Sequence, residues 1–404
     1  MRILFVVNNI WPPPVFVTGI SVIYACIKQL AKTGYDVHIL TSIGLWDKYA
    51  QKSRIDTLYD VRKWQQEEEK RYGVHFHTYS LPFLSAFPKL AFIVNRFIPI
   101  LIVPIVHRKY SFDAIHEYTS TPALLYRSII LKRLCPSARI FHTIIAQIPN
   151  RTGSAGWISH FPPKIDCVIC SSRFIADSMV AAGYAKSLIK VLSLGVDDQR
   201  FKAKHSRLTL RRKYGLKNRA LIVLFIGPIE PHKGADIFAK AAVGLGKLEN
   251  VIFICATYDS PGHIPYADRR REIERITMPL GNRFIIREGI HNVPELMALS
   301  DAVVVPQTTV DGATAHPVTL LEAMAAGCIV VASDLAGTEV IQHGINGFIF
   351  ANKNIHQLVR LLRSIAENST VRTKIGSTAI QTIRKEYAIS VIAKKLSAFY
   401  RSSP

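Results

Sequence analysis

The residues with the clearest capacity for chemistry lie between two apolar runs, residues 302–305 and 328–332, that are typical of buried strands. A helix is predicted between them over residues 318–326. In an open parallel sheet, ligands bind beyond the carboxyl ends of the strands, and a helix that begins there directs unpaired backbone N–H groups at a phosphate. Val318 and Thr319, at the start of this helix, are therefore predicted to contact a phosphate group.

Glu322 stands four residues into the same helix, in the otherwise apolar sequence Leu320-Leu-Glu-Ala-Met-Ala-Ala-Gly327. A lone carboxylate in a buried helix needs a polar partner. The pattern favours a side chain that reaches the same edge of the sheet and accepts hydrogen bonds from sugar hydroxyls. An alternative is a carboxylate that is merely solvated.

A second candidate is the sequence Gly227-Pro-Ile-Glu-Pro-His-Lys-Gly234, which connects an apolar run, residues 220–226, to another predicted helix. It lacks the spacing of a P-loop, and no G-x-G-x-x-G sequence follows a predicted strand. A lysine directly before a glycine at a helix start is nevertheless well suited to neutralise a diphosphate. Lys233 is therefore predicted to bind phosphate.

These candidates require α/β domains to position them. In the first half of the chain, a strand, a helix and a second strand follow one another within about 40 residues, which predicts a parallel sheet. The polar, basic stretch 199–213 interrupts this pattern, which then restarts. We therefore predict a first domain over residues 1–198 and a second over 199–387. An amphipathic helix over about residues 388–404 is expected to pack back on the first domain.

The composition is that of globular domains with an anionic partner. Lys and Arg total 51 against 29 Asp and Glu, a formal net charge of +22, and 49% of the residues are hydrophobic. This apolar content excludes an intrinsically disordered chain. The charge is compatible with nucleic acid, an acidic membrane surface or a phosphorylated small molecule. Because the basic residues are dispersed, as in 211–213 and 269–271, without an aromatic-rich basic stripe, nucleic-acid binding is not expected.

The six cysteines are scattered and mostly lie in apolar runs, which is typical of a reducing compartment. Cys167 and Cys170 have the C-x-x-C spacing, but no second pair of cysteines or histidines completes a zinc site, so core packing is the preferred interpretation. The apolar run at residues 3–7 is too short for a signal peptide. A cytoplasmic location is expected.

One apolar stretch, residues 81–106, has about the length of a membrane span. It contains Lys89, Asn95, Arg96 and four prolines, and the prolines are predicted to break any single helix. A transmembrane helix is therefore not expected. Two alternatives stay open: a buried helix and loop of the first domain, or a surface segment that enters the interface of an anionic bilayer.

Several short sequences follow one another in a recognisable order: Thr18-Gly19, Lys32-Thr-Gly-Tyr-Asp-Val37, Asn292-Val-Pro-Glu-Leu296, Leu321-Glu-Ala-Met-Ala-Ala-Gly327 and Gly344-Ile-Asn-Gly347. In this order and spacing they resemble glycosyltransferase family 4, the retaining enzymes of the GT-B fold, over nearly the whole chain. The resemblance implies two Rossmann-like, doubly wound parallel-sheet domains that face a central cleft. The first domain would bind the acceptor and the second the nucleotide sugar.

The resemblance also implies roles for individual residues. Glu322 matches the second acid of the family's E-x₇-E motif, which binds the ribose of the nucleotide sugar, and Lys233 matches a catalytic lysine that neutralises its diphosphate. Gly19 matches a glycine that lets the backbone approach the donor phosphate. His142 matches a catalytic histidine that faces the reacting sugar, although the residues alone favour a satisfied histidine at a strand end.

Three positions depart from the family pattern. Thr314 replaces the first acid of the motif, so the contact to the donor sugar is changed or is taken over by Asp311 or His316. Pro228 replaces an arginine near the diphosphate, and Thr18 stands where a second glycine is common. The predicted donor-binding set comprises Gly19, Lys233, Thr314, His316, Val318, Thr319 and Glu322.

No Asp-x-Asp sequence occurs, which argues against a metal-bridged diphosphate, and neither a metal nor a cofactor is expected. The expected activity is transfer of a hexosyl unit, with retention, from a UDP- or GDP-sugar to a lipid-linked or polysaccharide acceptor in envelope glycan biosynthesis. The enzyme would be peripheral on the inner face of the cell membrane. Two alternatives stay open: a UDP-sugar 2-epimerase-like enzyme of the same fold, and a catalytically inactive, transferase-like binding subunit.

Overall fold

Two parallel sheets organise the chain, one in each of two compact units. The first unit comprises residues 1–194 and 389–404, and the second comprises residues 195–388. The computed structural model describes residues 1–7, 18–42, 54–79, 88–119, 124–145, 165–257, 265–289, 292–309, 318–335 and 337–402. The prediction of two Rossmann-like α/β domains is confirmed.

The first unit has a seven-stranded sheet of parallel strands in the order β3-β2-β1-β4-β5-β6-β7. Its central strands are buried on both faces, which explains why they appear in the sequence as continuous apolar runs. The strands are β1 Arg2–Val6, β2 Asp36–Ser42, β3 Val74–Tyr79, β4 Ala114–Thr119, β5 Arg139–Ile144, β6 Cys167–Cys170 and β7 Ile189–Val191. The helices between them are α1 Thr18–Lys32, α2 Arg54–Tyr72, α3 Pro88–Tyr110, α4 Leu125–Leu134 and α5 Arg173–Ala181.

The second unit has a six-stranded parallel sheet in the order β10-β9-β8-β11-β12-β13. Its strands are β8 Leu221–Ile226, β9 Val251–Thr257, β10 Phe284–Glu288, β11 Ala302–Val305, β12 Ile329–Ser333 and β13 Phe348–Phe350. The helices are α6 Arg207–Lys213, α7 Ala235–Gly244, α8 Tyr266–Thr277, α9 Val293–Leu299, α10 Val318–Ala325, α11 Ile355–Glu367 and α12 Ser369–Thr382. Numbered in chain order, the strands follow the 3-2-1-4-5-6 arrangement of a dinucleotide-binding sheet. Successive strands are added on one side of β8 up to β10 and on its other side from β11 onward, so the strand order reverses between β8 and β11.

The last helix, α13 Ile389–Arg401, belongs to the first unit. The Tyr400 side chain is fully buried there, and its hydroxyl lies within hydrogen-bond distance of His116 Nδ1 on β4. A second contact joins Ser397 Oγ to the hydroxyl of Tyr35 at 2.5 Å. This helix therefore completes the core of the first unit.

Helix α3 corrects the prediction that prolines break the stretch 81–106. It is a single helix of 23 residues with Pro99 and Pro104 inside it. Each proline removes one backbone hydrogen bond, and tertiary packing can offset that loss. Pro99 is buried, and the ring centroid of Phe97 lies 5.8 Å from that of Tyr126 on α4. Within the ranges that the structure describes, no helix has both the length and the apolar character to cross a membrane.

Candidate functional site

The loops that follow β8 and β11 meet at the switch point of the second sheet, where its strand order reverses. The backbone N–H of Thr308 donates a hydrogen bond to the carbonyl of His232 at 2.9 Å, and the Thr308 hydroxyl donates to the carbonyl of Pro231 at 3.2 Å. Ligands bind at such a switch point in open α/β sheets. The two loops therefore form one structural element at the predicted site.

Gly234 makes this close approach possible. It lies in the left-handed region, with φ +72°, between a short 3₁₀ turn, Pro231–Lys233, and α7. A Cβ atom at this position would stand 1.9 Å from the carbonyl oxygen of Pro306, far inside any normal contact. Both the backbone conformation and the space therefore require glycine.

Lys233 ends the 3₁₀ turn at the start of α7, as the sequence predicts. The side chain is half-buried, and this burial lowers the pKa of its ammonium group. Among the described residues, no carboxylate forms an ion pair with it. A partly desolvated cation without a counter-charge is well suited to bind an anion.

The loop that carries Lys233 is supported by an ion pair that the sequence did not reveal. The buried Arg269 guanidinium on α8 lies 2.7 Å from Glu230 Oε1 and donates a hydrogen bond to the carbonyl of Ile229. In the sequence, Arg269 counted only as one of the dispersed basic residues, without a structural role. A signal was available, because Arg269, Ile273 and Thr277 recur every four residues and share the buried face of α8.

The loop after β11 is held from two other directions. The Ser333 hydroxyl at the end of β12 donates to the carbonyl of Gln307 at 2.6 Å, and the side-chain amide of Asn352 donates to the carbonyl of Thr308 at 3.0 Å. These bonds satisfy carbonyl groups that the loop would otherwise leave unpaired. The described part of the loop, residues 306–309, is thus held in place before any ligand binds.

Glu322 lies in the second turn of α10, the helix that follows β11, and is only 5% exposed. Burial raises the pKa of its carboxyl group to about 7, against the opposing charge of Arg200. Within the described part of the chain, no side chain donates a hydrogen bond to this carboxylate. A buried carboxylate in this state can accept hydrogen bonds from a ligand.

The other predicted donor contacts are described only in part. At the start of α10, Val318 is buried and Thr319 is half-buried. Thr314, His316 and Asp311 lie outside the described residues. Gly19 lies in the other unit, buried in the first turn of α1. Lys233 thus follows β8 and Glu322 follows β11, and these two strands are neighbours in the second sheet. Gly19 and His142 belong to the first unit.

His142 is enclosed in the core of the first unit. It is 0% exposed on β5, and its ring nitrogens lie within hydrogen-bond distance of two hydroxyls, Ser128 Oγ at 2.7 Å and Thr119 Oγ1 at 2.8 Å. Burial lowers its pKa, against the neighbouring carboxylate of Glu117. The structure therefore has the satisfied histidine that the residues alone favoured, and a catalytic role for His142 stays a prediction.

The same network holds a buried ion pair. Glu117 Oε1 lies 2.8 Å from the Arg127 guanidinium, and both side chains are almost completely buried. Burial alone would raise the pKa of Glu117, but Arg127 and His142 hold it at about 2. This carboxylate is therefore ionised throughout the physiological range and fixes the hydrogen bonds around His142.

Two family models match the chain. The model described as Glycosyltransferase Family 4 matches residues 21–200, and the model described as Glycosyl transferases group 1 matches residues 206–382. The first match lies largely in the first unit and the second lies within the second unit. The chain therefore carries both halves of a family 4 protein.

Curated relatives are similar over about half of the chain. A D-inositol 3-phosphate glycosyltransferase of Corynebacterium glutamicum (strain R) is 23% identical over 222 residues, which cover 53% of this chain and 52% of the relative. An uncharacterized glycosyltransferase of Methanocaldococcus jannaschii is 25% identical over 221 residues, covering 53% of this chain and 54% of the relative. The chain thus spans about half the length of the curated relatives that it matches.

Solved structures share the fold over the full length. A glycosyltransferase from Rickettsia africae ESF-5 superimposes with a TM-score of 0.74 at 18% identity, covering 99% of this chain and 97% of that one. Anabaena Alr3699/HepE in complex with UDP-glucose gives a TM-score of 0.71 at 18% identity and covers 98% of both chains. With a family model matched in each half and this fold throughout, the chain belongs to glycosyltransferase family 4.

Proposed function

We propose that this protein transfers a hexosyl unit from a nucleotide sugar, with retention and without a metal ion, to a lipid-linked or polysaccharide acceptor in envelope glycan biosynthesis. The observation that carries the proposal is a pair of buried or half-buried ionisable groups, Lys233 and Glu322, that follow the two strands at the switch point of the second sheet. Lys233 has no counter-charge and Glu322 accepts no hydrogen bond among the described side chains. A diphosphate and a ribose are ligands that would satisfy both.

In the proposed reaction, the C1–O bond of the donor sugar breaks and the nucleoside diphosphate leaves with the bonding electrons. The Lys233 ammonium group would stabilise the charge that develops on the leaving oxygen, together with free N–H groups at the start of α10. The carboxylate of Glu322 would accept hydrogen bonds from the ribose hydroxyls and orient the donor. The acceptor hydroxyl would attack C1 from the face that the leaving group vacates, which retains the configuration, and would pass its proton to the departing diphosphate oxygen. The first unit would hold the acceptor.

Uridine diphosphate is the preferred nucleotide in this proposal, and GDP is the alternative. The Anabaena neighbour was crystallised with UDP-glucose, and the Corynebacterium relative is named as a glycosyltransferase of D-inositol 3-phosphate. At these levels of identity, the neighbours support a nucleotide-sugar donor more strongly than any particular sugar or acceptor. A screen of UDP-, GDP- and ADP-sugars by thermal shift would identify the donor.

Two variants test the site directly. Lys233→Ala and Glu322→Ala should each lower the affinity for the donor, measured by calorimetry, at least about tenfold, because each removes a charged contact. Lys240→Ala is the matched control, since Lys240 is an exposed lysine on α7, the helix that follows Lys233, and pairs with Asp236. Unchanged donor affinity in both test variants would refute the assignment of the site.

Turnover separates the proposed activity from the two alternatives. A transferase consumes the donor only slowly without an acceptor, whereas a 2-epimerase converts the donor with no second substrate. A binding subunit would bind the donor and convert nothing. Product analysis of the donor alone, and then with lipid-linked and polysaccharide acceptors, distinguishes all three outcomes.

A peripheral position on the inner, anionic face of the cell membrane is the second part of the proposal. Phe97, Leu101 and Ile105 recur every four residues on α3 and are 50%, 68% and 65% exposed. Arg108 and Lys109, on the last turn of the same helix, are exposed as well. An apolar stripe beside basic side chains is the pattern of a helix that rests in the interface of an anionic bilayer.

Co-sedimentation with vesicles tests this contact. The protein should bind anionic vesicles at low salt and bind neutral ones weakly, and the double variant Leu101→Gln, Ile105→Gln should lose most of the binding. Met278→Gln is a matched control, because Met278 is an exposed apolar residue of the second unit. Equal, weak binding to both kinds of vesicle would remove the membrane from the proposal. Self-association of the free protein through α3 would instead make the stripe an interface between copies.

A further inference from the structure

Four polar residues meet where strands β2 and β3 begin. In the parallel register of these strands, His38 lies opposite His75, and Leu40 lies opposite His77. Side chains two positions apart on a strand share one face of the sheet. Asp36 and His38 on β2 therefore face the same side as His75 and His77 on the edge strand β3.

Three of these side chains bring ligand atoms together. His38 Nε2 lies 3.2 Å from Asp36 Oδ1, and His75 Nε2 lies 3.8 Å from the same oxygen. The three atoms all lie within 4.8 Å of one another. Ligands about 2.0–2.2 Å from a tetrahedral zinc ion are roughly 3.3–3.5 Å apart, so two of the separations already match within about half an ångström.

The surroundings fix the orientation of these groups. His38 Nδ1 lies 2.8 Å from His77 Nε2, and the two rings are nearly parallel, with an angle of 6° between their planes. With its Nδ1 engaged in this way, His38 directs Nε2 at Asp36. A second hydrogen-bonding group of this kind accompanies most histidines that bind metal ions.

The two carboxylate oxygens of Asp36 have different partners. Its Oδ2 atom lies 2.5 Å from Nε of Arg2, which leaves Oδ1 facing the histidines. The His38 side chain is 5% exposed and that of His75 is 57% exposed, so the cluster is anchored in the protein and open to solvent on one side. Arg2 adds a positive charge next to the cluster, which reduces the affinity expected for a cation.

We propose that Asp36, His38 and His75 bind one divalent transition-metal ion, zinc by preference, with water in the remaining position and His77 as the group that orients His38. Nitrogen and carboxylate ligands in a tetrahedral arrangement favour zinc over calcium or magnesium. The site lies at the amino ends of its strands, the opposite edge of the sheet from the carboxyl ends at which ligands bind. Its effect is therefore to join the edge strand β3 to β2, and it is independent of the proposed transfer reaction.

Titration of the chelator-treated, untagged full-length protein tests the site. Zinc followed by calorimetry should bind in a ratio of one ion per chain and raise the melting temperature. Cobalt in place of zinc should give the strong visible absorption of a four-coordinate site. A wild-type protein without a saturable zinc site overturns the proposal.

Variants separate a built site from adventitious binding. His75→Ala should weaken zinc binding at least about tenfold without loss of folding, because this side chain is largely exposed. His77→Ala should weaken it by about 10–100-fold if His77 orients a ligand. His356→Ala, an exposed histidine on α11, is the control and should bind as the wild type does. Equal zinc affinity in wild type and His75→Ala would refute the site even if zinc binds.

Discussion

Replacing Gly234 with alanine separates two consequences of the close approach between the Lys233 loop and the loop after β11. The first is backbone strain, because Gly234 has φ +72°, and a left-handed conformation costs a non-glycine residue about 1–2 kcal/mol. The second is steric overlap, because the new Cβ would stand 1.9 Å from the Pro306 carbonyl oxygen. Relief of that overlap requires a movement of roughly 1 Å, and a displacement of this size can cost about 100-fold in activity.

Gly215→Ala supplies the comparison. Gly215 belongs to the same unit and has nearly the same backbone angle, φ +68°, but a Cβ atom there would meet nothing within 4 Å. It therefore has the strain without the overlap. Gly215→Ala should lower the free energy of unfolding by about 1 kcal/mol and leave donor binding unchanged.

The assays are urea unfolding and donor binding by calorimetry, followed by kcat/KM once the donor is known. Gly234→Ala should be less stable than Gly215→Ala, bind the donor at least about tenfold more weakly, and lose about 100-fold in kcat/KM. If both variants lose the same stability and both bind the donor normally, the contact with Pro306 does not position Lys233, and the reasoning is wrong.

Three further predictions rest on buried ionisable side chains. Burial raises the pKa of Glu322 from 4.5 to about 7, so its ionisation lowers the stability of the folded protein as pH rises between those values. Glu322→Gln removes this cost. In urea unfolding, the variant should be more stable than the unliganded wild type by about 3 kcal/mol at pH 8, but not at pH 4. Arg269→Met should lower stability by about 3 kcal/mol, because Glu230 loses its partner, whereas Arg271→Ala, at an exposed arginine of the same helix, should change it by less than about 0.5 kcal/mol. His142→Ala should lower stability by roughly 2–4 kcal/mol, because two buried hydroxyls lose their ring partner; a variant of normal stability with no turnover would instead support a catalytic role.

The features that the sequence predicted correctly are local ones. The strands β8 and β11 are continuous apolar runs, and Lys233 and Glu322 stand at fixed offsets after them. Because a parallel sheet places the carboxyl ends of its strands along one edge, the pattern alone was enough to put both residues at that edge.

The features that the sequence did not reveal depend on contacts between distant segments. The contact of Gly234 with Pro306 and the ion pair of Arg269 with Glu230 join residues far apart in the chain. The spacing of Arg269, Ile273 and Thr277 indicates a buried face of α8, but it does not identify Glu230 as the partner. The strand β3 and the helix α2 before it were missed because they are polar, so the histidines of β3 had no assigned neighbour. A helix was one of the two alternatives for this stretch, but the unbroken length of α3 was not predicted, because proline is a strong local signal that packing overrode.

The position of α13 has a consequence for synthesis on the ribosome. The second unit is complete once residue 388 has been made, whereas the core of the first unit lacks Tyr400 and its ring contacts with Phe141 and His116 until α13 emerges. Domains that fold during translation usually do so in the order of synthesis. Here the part of the chain made first is the last to reach its finished core, so a released chain truncated after residue 388 should contain a folded second unit and an incomplete first one.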